Sequence, residues 1–171
     1  MPIDDELELF SHVDKGDRVL GAISRKEAHS GSKKIHRSVG IFLLSDSKGM
    51  FFQQRSSRKD VDPGKWSYSV GGHVTYGETY LEATNRELQE EIGIDRANSI
   101  VELGKFLIET DREREFTTFF KLIVPESVIL KFDREEISQT KWVPLNEIAR
   151  FTSNHPFSSW GTIALKLTGF I

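Results

Sequence analysis

The stretch from Glu78 to Ile92 holds neither glycine nor proline, is rich in strong helix formers, and stops at Gly93, the residue that best tolerates the left-handed conformation after a helix. A helix of this length between segments of strand character constrains the fold more than any other feature. Leu81, Leu88 and Ile92 fall near one another on it and are expected to pack on a sheet. Glu87, Glu90 and Glu91, at i, i+3 and i+4, project from one side of consecutive turns. Like charges at these spacings destabilise a helix by roughly a few tenths of a kcal/mol per pair, and near its C-terminus they also oppose the macrodipole. A hard divalent cation removes that penalty, and clustered carboxylate oxygens suit Mg²⁺ or Mn²⁺.

The flanking segments read mostly as strands. Leu7–Val13 and Arg18–Ile23 form an expected N-terminal hairpin about the turn Lys15-Gly16-Asp17, and Ser24 caps a short helix through His29, with Glu27 at the capping-box position. Arg37–Leu44 is nearly continuous in apolar character, which implies burial on both faces. Met50–Arg55, Trp66–Val70, Ile100–Ile108, Glu115–Val124 and Ile137–Val143 are further expected strands, and helices over Pro144–Phe151 and Ser158–Leu167 close the chain. One helix between strands and others at the end predict an α/β (α+β) domain, a mixed sheet sandwiched by helices, over residues 1–171. No GxGxxG follows a strand, so a dinucleotide-binding fold is disfavoured.

Composition narrows the chemistry. Cysteine is absent, which excludes thiol nucleophiles, disulfides and Cys-ligated zinc and fits a cytoplasmic setting. The net charge of −3 supplies no basic footprint for a nucleic-acid polymer. Met1–Phe10 is acidic, without the basic region of a targeting peptide, and no apolar run approaches bilayer length, so no membrane partner is expected. A small polyanion held by cations is the natural partner of the glutamate helix. Cations bridging the oxygens of a pyrophosphate drain the charge that repels attacking water. Arg86, beside Glu87 and two helical turns after Glu78, can tie Glu78 back to the helix, while Gly71, Gly72 and Gly77 let the preceding loop pass close to metal and phosphate.

Gly72, Glu78, Arg86, Glu87, Leu88, Glu90, Glu91, Gly93 and Ile94 match the defining positions of the Nudix box, and over residues 72–94 the chain resembles the Nudix hydrolase family. The resemblance implies an α/β/α sandwich, hydrolysis of a nucleoside diphosphate derivative or related small molecule, and metal ligation by Glu87, Glu90 and Glu91 with the Gly71 carbonyl. Glu90 or Glu136 is the implied proton acceptor, and Arg86 with Glu78 holds loop and helix in register. Gln54-Arg55 and Arg58-Lys59 are candidate phosphate contacts; Trp66 is a candidate stacking surface, with a place in the core as the alternative. A homodimer is carried as an expectation.

Beyond the box, the hairpin, Arg25–His29 with His36, Pro63-Gly64-Lys65-Trp66 and Gly72-His73 resemble the Nudix branch that contains type 1 isopentenyl diphosphate isomerase. That resemblance implies a second metal cluster of His29, His36, His73, Glu113 and Glu115, while each residue taken singly reads as structural. The isomerase's catalytic cysteine falls at Gly71, which offers no acid or base, so hydrolysis is expected and isomerisation is the rival. A catalytically idle nucleotide-binding sensor is a third reading.

Overall fold

The apolar run expected to be buried on both faces is β3 (Ile35–Ser45). Val39, Ile41 and Leu43 enter one core with Leu88 and Ile92, and Phe42 enters a second with Phe119, Phe151 and Leu165. The period-2 alternation of a strand puts the two cores on opposite faces. The computed structural model describes residues 5–59, 61–95, 99–111 and 113–171; Met1–Asp4 and Arg112, part of the acidic N-terminus and of the charged run before Glu115, lie outside them.

β1 (Leu9–Val13) and β2 (Val19–Ser24) form the expected antiparallel hairpin. Ser24 Oγ accepts from the Glu27 amide at 3.3 Å and starts α1 (Arg25–Ala28). After β3 come β4 (Gly49–Arg55), β5 (Trp66–Ser67), β6 (Val70–His73), α2 (Tyr80–Ile92), β7 (Ile100–Glu109), β8 (Arg114–Ile123) and β9 (Ile137–Val143). A 3-10 turn (Leu145–Glu147), α3 (Ile148–Asn154) and α4 (Ser159–Leu167) follow. β8 runs parallel to β3 along its length, from Ile35↔Arg114 to Leu44↔Ile123. Along the other edge β1, β6 and β4 pair antiparallel with the start, middle and end of β3. β7 extends the sheet from β8, and β9 from β4. α2 covers one face and α3 and α4 the other, so the sheet is mixed and sandwiched by helices.

Two expectations are corrected. Trp66–Val70, read as one strand, is two, because the chain leaves β4 at Gln53↔Ser67 and joins β3 at Ile41↔Val70. Ser69 bridges the gap: its hydroxyl donates to the Phe51 carbonyl at 2.6 Å and accepts from the Leu43 amide at 2.8 Å, supplying both strands where their direct pairing has ended. Leu81, placed on the sheet-facing side of α2, is 53 % exposed; in the helix's first turn Tyr80 and Ala83 pack on the core instead. Leu88 and Ile92 are buried as expected, each contributing about 2 kcal/mol.

Ser69→Ala would strand two buried backbone groups. It should lower stability by roughly 2 kcal/mol or more, read as a lower urea midpoint at unchanged m-value.

Candidate active site

Thr79 caps α2 through a capping box with Glu82, and Gly93 closes it at φ 73° in the left-handed region. With both ends fixed, Glu87 and Glu91 turn inward beside Leu88 and Ile92, at 9 % and 8 % exposure, while the Glu90 side chain is 59 % exposed. A Cβ at Gly72 would lie 2.0 Å from Glu87 Oε1, so only glycine lets the carboxylate approach β6. The Arg86 guanidinium gathers the acids. It donates to both Glu78 oxygens at 2.8 and 3.0 Å, to Glu87 Oε1 at 2.6 Å, to Glu90 Oε2 at 3.1 Å and to the His73 carbonyl at 2.8 Å. Glu78 in turn accepts from the Thr75 amide at 3.0 Å, which closes the loop on the helix as expected. Burial opposes the Arg86 charge, and its bonds to Glu78 and Glu87 more than offset this, holding its pKa above the usual range.

Burial also pushes the Glu91 carboxyl up to about 8; the charge of Glu87 adds to the shift, and the Gln53 amide, donating to Glu91 Oε2 at 2.8 Å, reduces it. Glu87 rises to about 7 by burial despite Arg86. Two buried carboxyls with raised pKa, facing a glycine-lined gap, form an oxygen-donor set that fits a hard divalent cation. Glu90 and Gly71 border the same groove, about 400 Å³ in volume, together with Arg55, Lys59 and Glu136. Lys59 Nζ donates to Glu136 Oε2 at 2.5 Å across it. Arg58 pairs instead with Glu135 on the surface and Trp66 is buried against Phe151 and His155, so neither borders the groove; for Trp66 the core reading holds.

The histidine cluster lies on the other face of β6. Gly72 faces α2, so alternation points Gly71 and His73 away from it. One ligand atom from each of His29, His36, His73, Glu113 and Glu115 falls within 4.8 Å of the others. His29 Nε2 stands 3.2 Å from His73 Nε2 and 3.0 Å from Glu113 Oε2. His36 Nε2 is 3.2 Å from Glu115 Oε1, yet buried without a directed hydrogen bond. Three imidazoles and two carboxylates gathered this closely could hold a metal ion. Burial drives His73 down to about 4 against the pull of Glu115, leaving it neutral as a ligand must be. Burial likewise opposes charge on His36, but Glu115 outweighs it and raises that pKa. Trp160 Nε1 donates to Glu113 Oε1 at 2.8 Å and fixes its orientation from α4.

An inner cavity of about 100 Å³ adjoins this cluster and shares Arg25, Gln53, Arg55, Gly71, Gly72 and His73 with the outer groove. Arg25, Gln53 and Tyr68 are among the bordering residues that the sequence did not single out. Arg25 opens α1 and lies four residues before its C-cap His29, a spacing that puts both on one side. Gln53 shares a strand face with Arg55 by alternation. Tyr68 falls in the break between β5 and β6, inside the segment expected to be one strand, where alternation alone does not mark it as a cavity residue. A Cβ at Gly71 would lie 2.7 Å from Tyr68 Oη, so the phenol fills the space a side chain at the isomerase's cysteine position would need.

The NUDIX domain pattern matches residues 34–161. The chain belongs to the Nudix family. Among its relatives, this Nudix hydrolase is 34% identical over 152 residues to a prenyl-diphosphate phosphatase of Methanosarcina mazei, covering 86% of each chain. It is 31% identical over 161 residues to an isopentenyl-diphosphate Delta-isomerase of Streptomyces avermitilis, covering 91% of this chain and 80% of the other. A Nudix hydrolase of Pseudomonas aeruginosa is 33% identical over 138 residues, covering 81% of this chain and 79% of its own length. In structure the chain superposes on a Deinococcus radiodurans protein with a TM-score of 0.77 at 28% identity, over 94% of this chain and 97% of that one. Nudix hydrolases generally act with divalent metal ions. Among the described residues no helix is long and apolar enough to cross a membrane.

A carboxyl that keeps its proton near neutrality must lose it to take a cation, so protons compete with metal at low pH and cease to above about 8. In chelator-treated protein these two raised carboxyls favour the folded state below the ordinary carboxylate range, a contribution lost as pH rises through 7 and 8. Added Mg²⁺ should therefore raise Tm more at about pH 8 than at about pH 5, and Glu91→Gln should shrink that difference in differential scanning calorimetry.

Proposed function

We propose that this Nudix hydrolase cleaves the diphosphate linkage of a small molecule, a nucleoside diphosphate derivative or a related compound, with Mg²⁺ or Mn²⁺ and water. The observation that carries the reading is the buried Glu87–Glu91 pair. Arg86 ties Glu87 to Glu78 and Glu90, and Gly72 opens the pair to a groove that also presents Arg55 and Lys59. Two buried like charges are a liability without a multivalent counterion and a working site with one. Glu87, Glu90 and Glu91, with the Gly71 carbonyl, would hold the metal, whose chemistry is to withdraw charge from the phosphate oxygens and acidify water.

The chain's own side chains do the rest. Arg55 and Lys59, from β4 and the following loop, meet the phosphates; Arg25, across the groove, is added to them by its position. Glu136, facing Glu91 over the same groove, accepts the proton of the attacking water, with Glu90 as the alternative acceptor. Arg86 and Glu78 keep loop and helix in register. The histidine cluster holds a second, softer ion beside the inner cavity. The absence of cysteine accords with action in the cytoplasm.

The compounds to assay are nucleoside diphosphate sugars, dinucleotides, nucleoside triphosphates and prenyl diphosphates, the last supported by the similarity to a prenyl-diphosphate phosphatase. Glu91→Gln should cut turnover of any of them by at least roughly a hundredfold, more than loss of a metal's outer-shell partner costs, with an unchanged circular dichroism spectrum. Full activity in that variant would refute the assignment.

Isomerisation has no proton carrier at Gly71, and Tyr68 crowds that position. Isopentenyl diphosphate incubated with the metal-loaded protein should show no allylic isomer in an NMR time course; its appearance would favour the rival enzyme.

A further inference from the structure

The inner cavity contains a hydrogen-bonding group that the protein itself leaves unused. Tyr68 is 8 % exposed, its ring packed against Phe42 and Phe119 at centroid distances of 5.4 and 6.1 Å. Tyr68 lines the cavity with its hydroxyl beside Gly71, and among the described residues that hydroxyl has no hydrogen-bond partner. The other hydroxyls on that wall are satisfied internally. Ser38 Oγ pairs with Thr117 Oγ1 at 2.7 Å, and Ser158 Oγ donates to Ser67 Oγ at 3.1 Å. The Trp160 indole is likewise committed to Glu113. A tyrosine buried this far normally finds a partner for its hydroxyl, and one left over at a cavity wall marks where a ligand atom belongs.

We infer that Tyr68 is a specificity-determining residue whose hydroxyl bonds an oxygen or nitrogen on the organic half of the substrate, so that the inner cavity selects a polar group over a hydrocarbon one. The inference rests on the hydrolase reading for where the diphosphate lies: at the glutamate helix, with the organic half turned around the end of β6 into the inner cavity. The walls of that cavity agree. Val39, Val61 and Trp160 supply apolar surface, but Glu113, Glu115, Asp62 and Arg55 stand among them, and an alkyl chain would face these groups with nothing to offer them. A wholly hydrocarbon group would also exclude water from the Tyr68 hydroxyl and leave it unpaired, which is how a site built for a hydrogen bond rejects an analogue lacking one. Burial, with the neighbouring Glu115 and Glu91, raises the pKa of the phenol and favours its protonated, donating form.

The test uses a matched pair: a five-carbon alkyl diphosphate, and the same compound with a hydroxyl at the chain end. Wild-type protein should prefer the hydroxylated compound by roughly tenfold or more in kcat/KM. Tyr68→Phe keeps the ring that packs on Phe42 and Phe119 and should bring the ratio close to one. Equal kcat/KM in the wild type, or a preference that survives in Tyr68→Phe, would overturn the inference while leaving the hydrolase reading in place. Calorimetric affinities for the same two compounds separate the opposite case. If neither is cleaved, tighter binding of the hydroxylated one by wild type and not by Tyr68→Phe would support the role of Tyr68 and count against hydrolysis of alkyl diphosphates; equal binding would overturn the inference.

Discussion

The Arg86 guanidinium is the contact on which the site depends. One planar cation meets Glu78, Glu87, Glu90 and the His73 carbonyl, spanning the loop before α2, the helix itself and the end of β6. A lysine would place its charge at a single point and could not hold three carboxylates in fixed directions. The arginine does not neutralise the cluster. Glu91 is beyond its reach, held instead by Gln53, and the residual negative charge is what a divalent ion would answer.

β6 organises the rest. It pairs with β3 on one edge, and its alternating residues serve two sites at once: Gly72 admits Glu87 on the helix side, while Gly71 and His73 face the histidine cluster. Just before it, Ser69 bonds both β3 and β4 where the chain passes from its pairing with β4 in β5 to that with β3 in β6. The divergence of β3 from β4 thus makes room for a groove bordered by both clusters and by Arg25, Gln53 and Arg55. On the proposed reading, a single substrate brings its phosphates to oxygen donors and its organic half to an environment of imidazole, indole and phenol.

Much of this was legible in the residues. The hairpin, the capped helix ending at Gly93, the order of strands and the clustering of the glutamates follow from periodicity, capping chemistry and spacing, all of which act over a few residues. The pairing of Arg86 with Glu78 was also legible, because Glu78 lies just ahead of the helix start, about two turns before the arginine. Leu81 and the strand Trp66–Val70 were misread for one shared reason: whether a local pattern meets the sheet depends on where the sheet ends. Arg58, chosen by nearness in sequence to the box, pairs with Glu135 outside the groove, and Trp66 takes the core place that was its alternative.

By itself the sequence determined a helix carrying paired carboxylates, a glycine in front of them and an arginine to bind them together, since these rest on helical geometry and on the charge of the side chains. Only the tertiary structure decided which carboxylates are buried, that Gln53 and Arg25 join them, and that Tyr68 lines the cavity with its hydroxyl beside Gly71. Burial and pairing depend on elements far apart in the chain meeting at one place, and no local pattern carries that information.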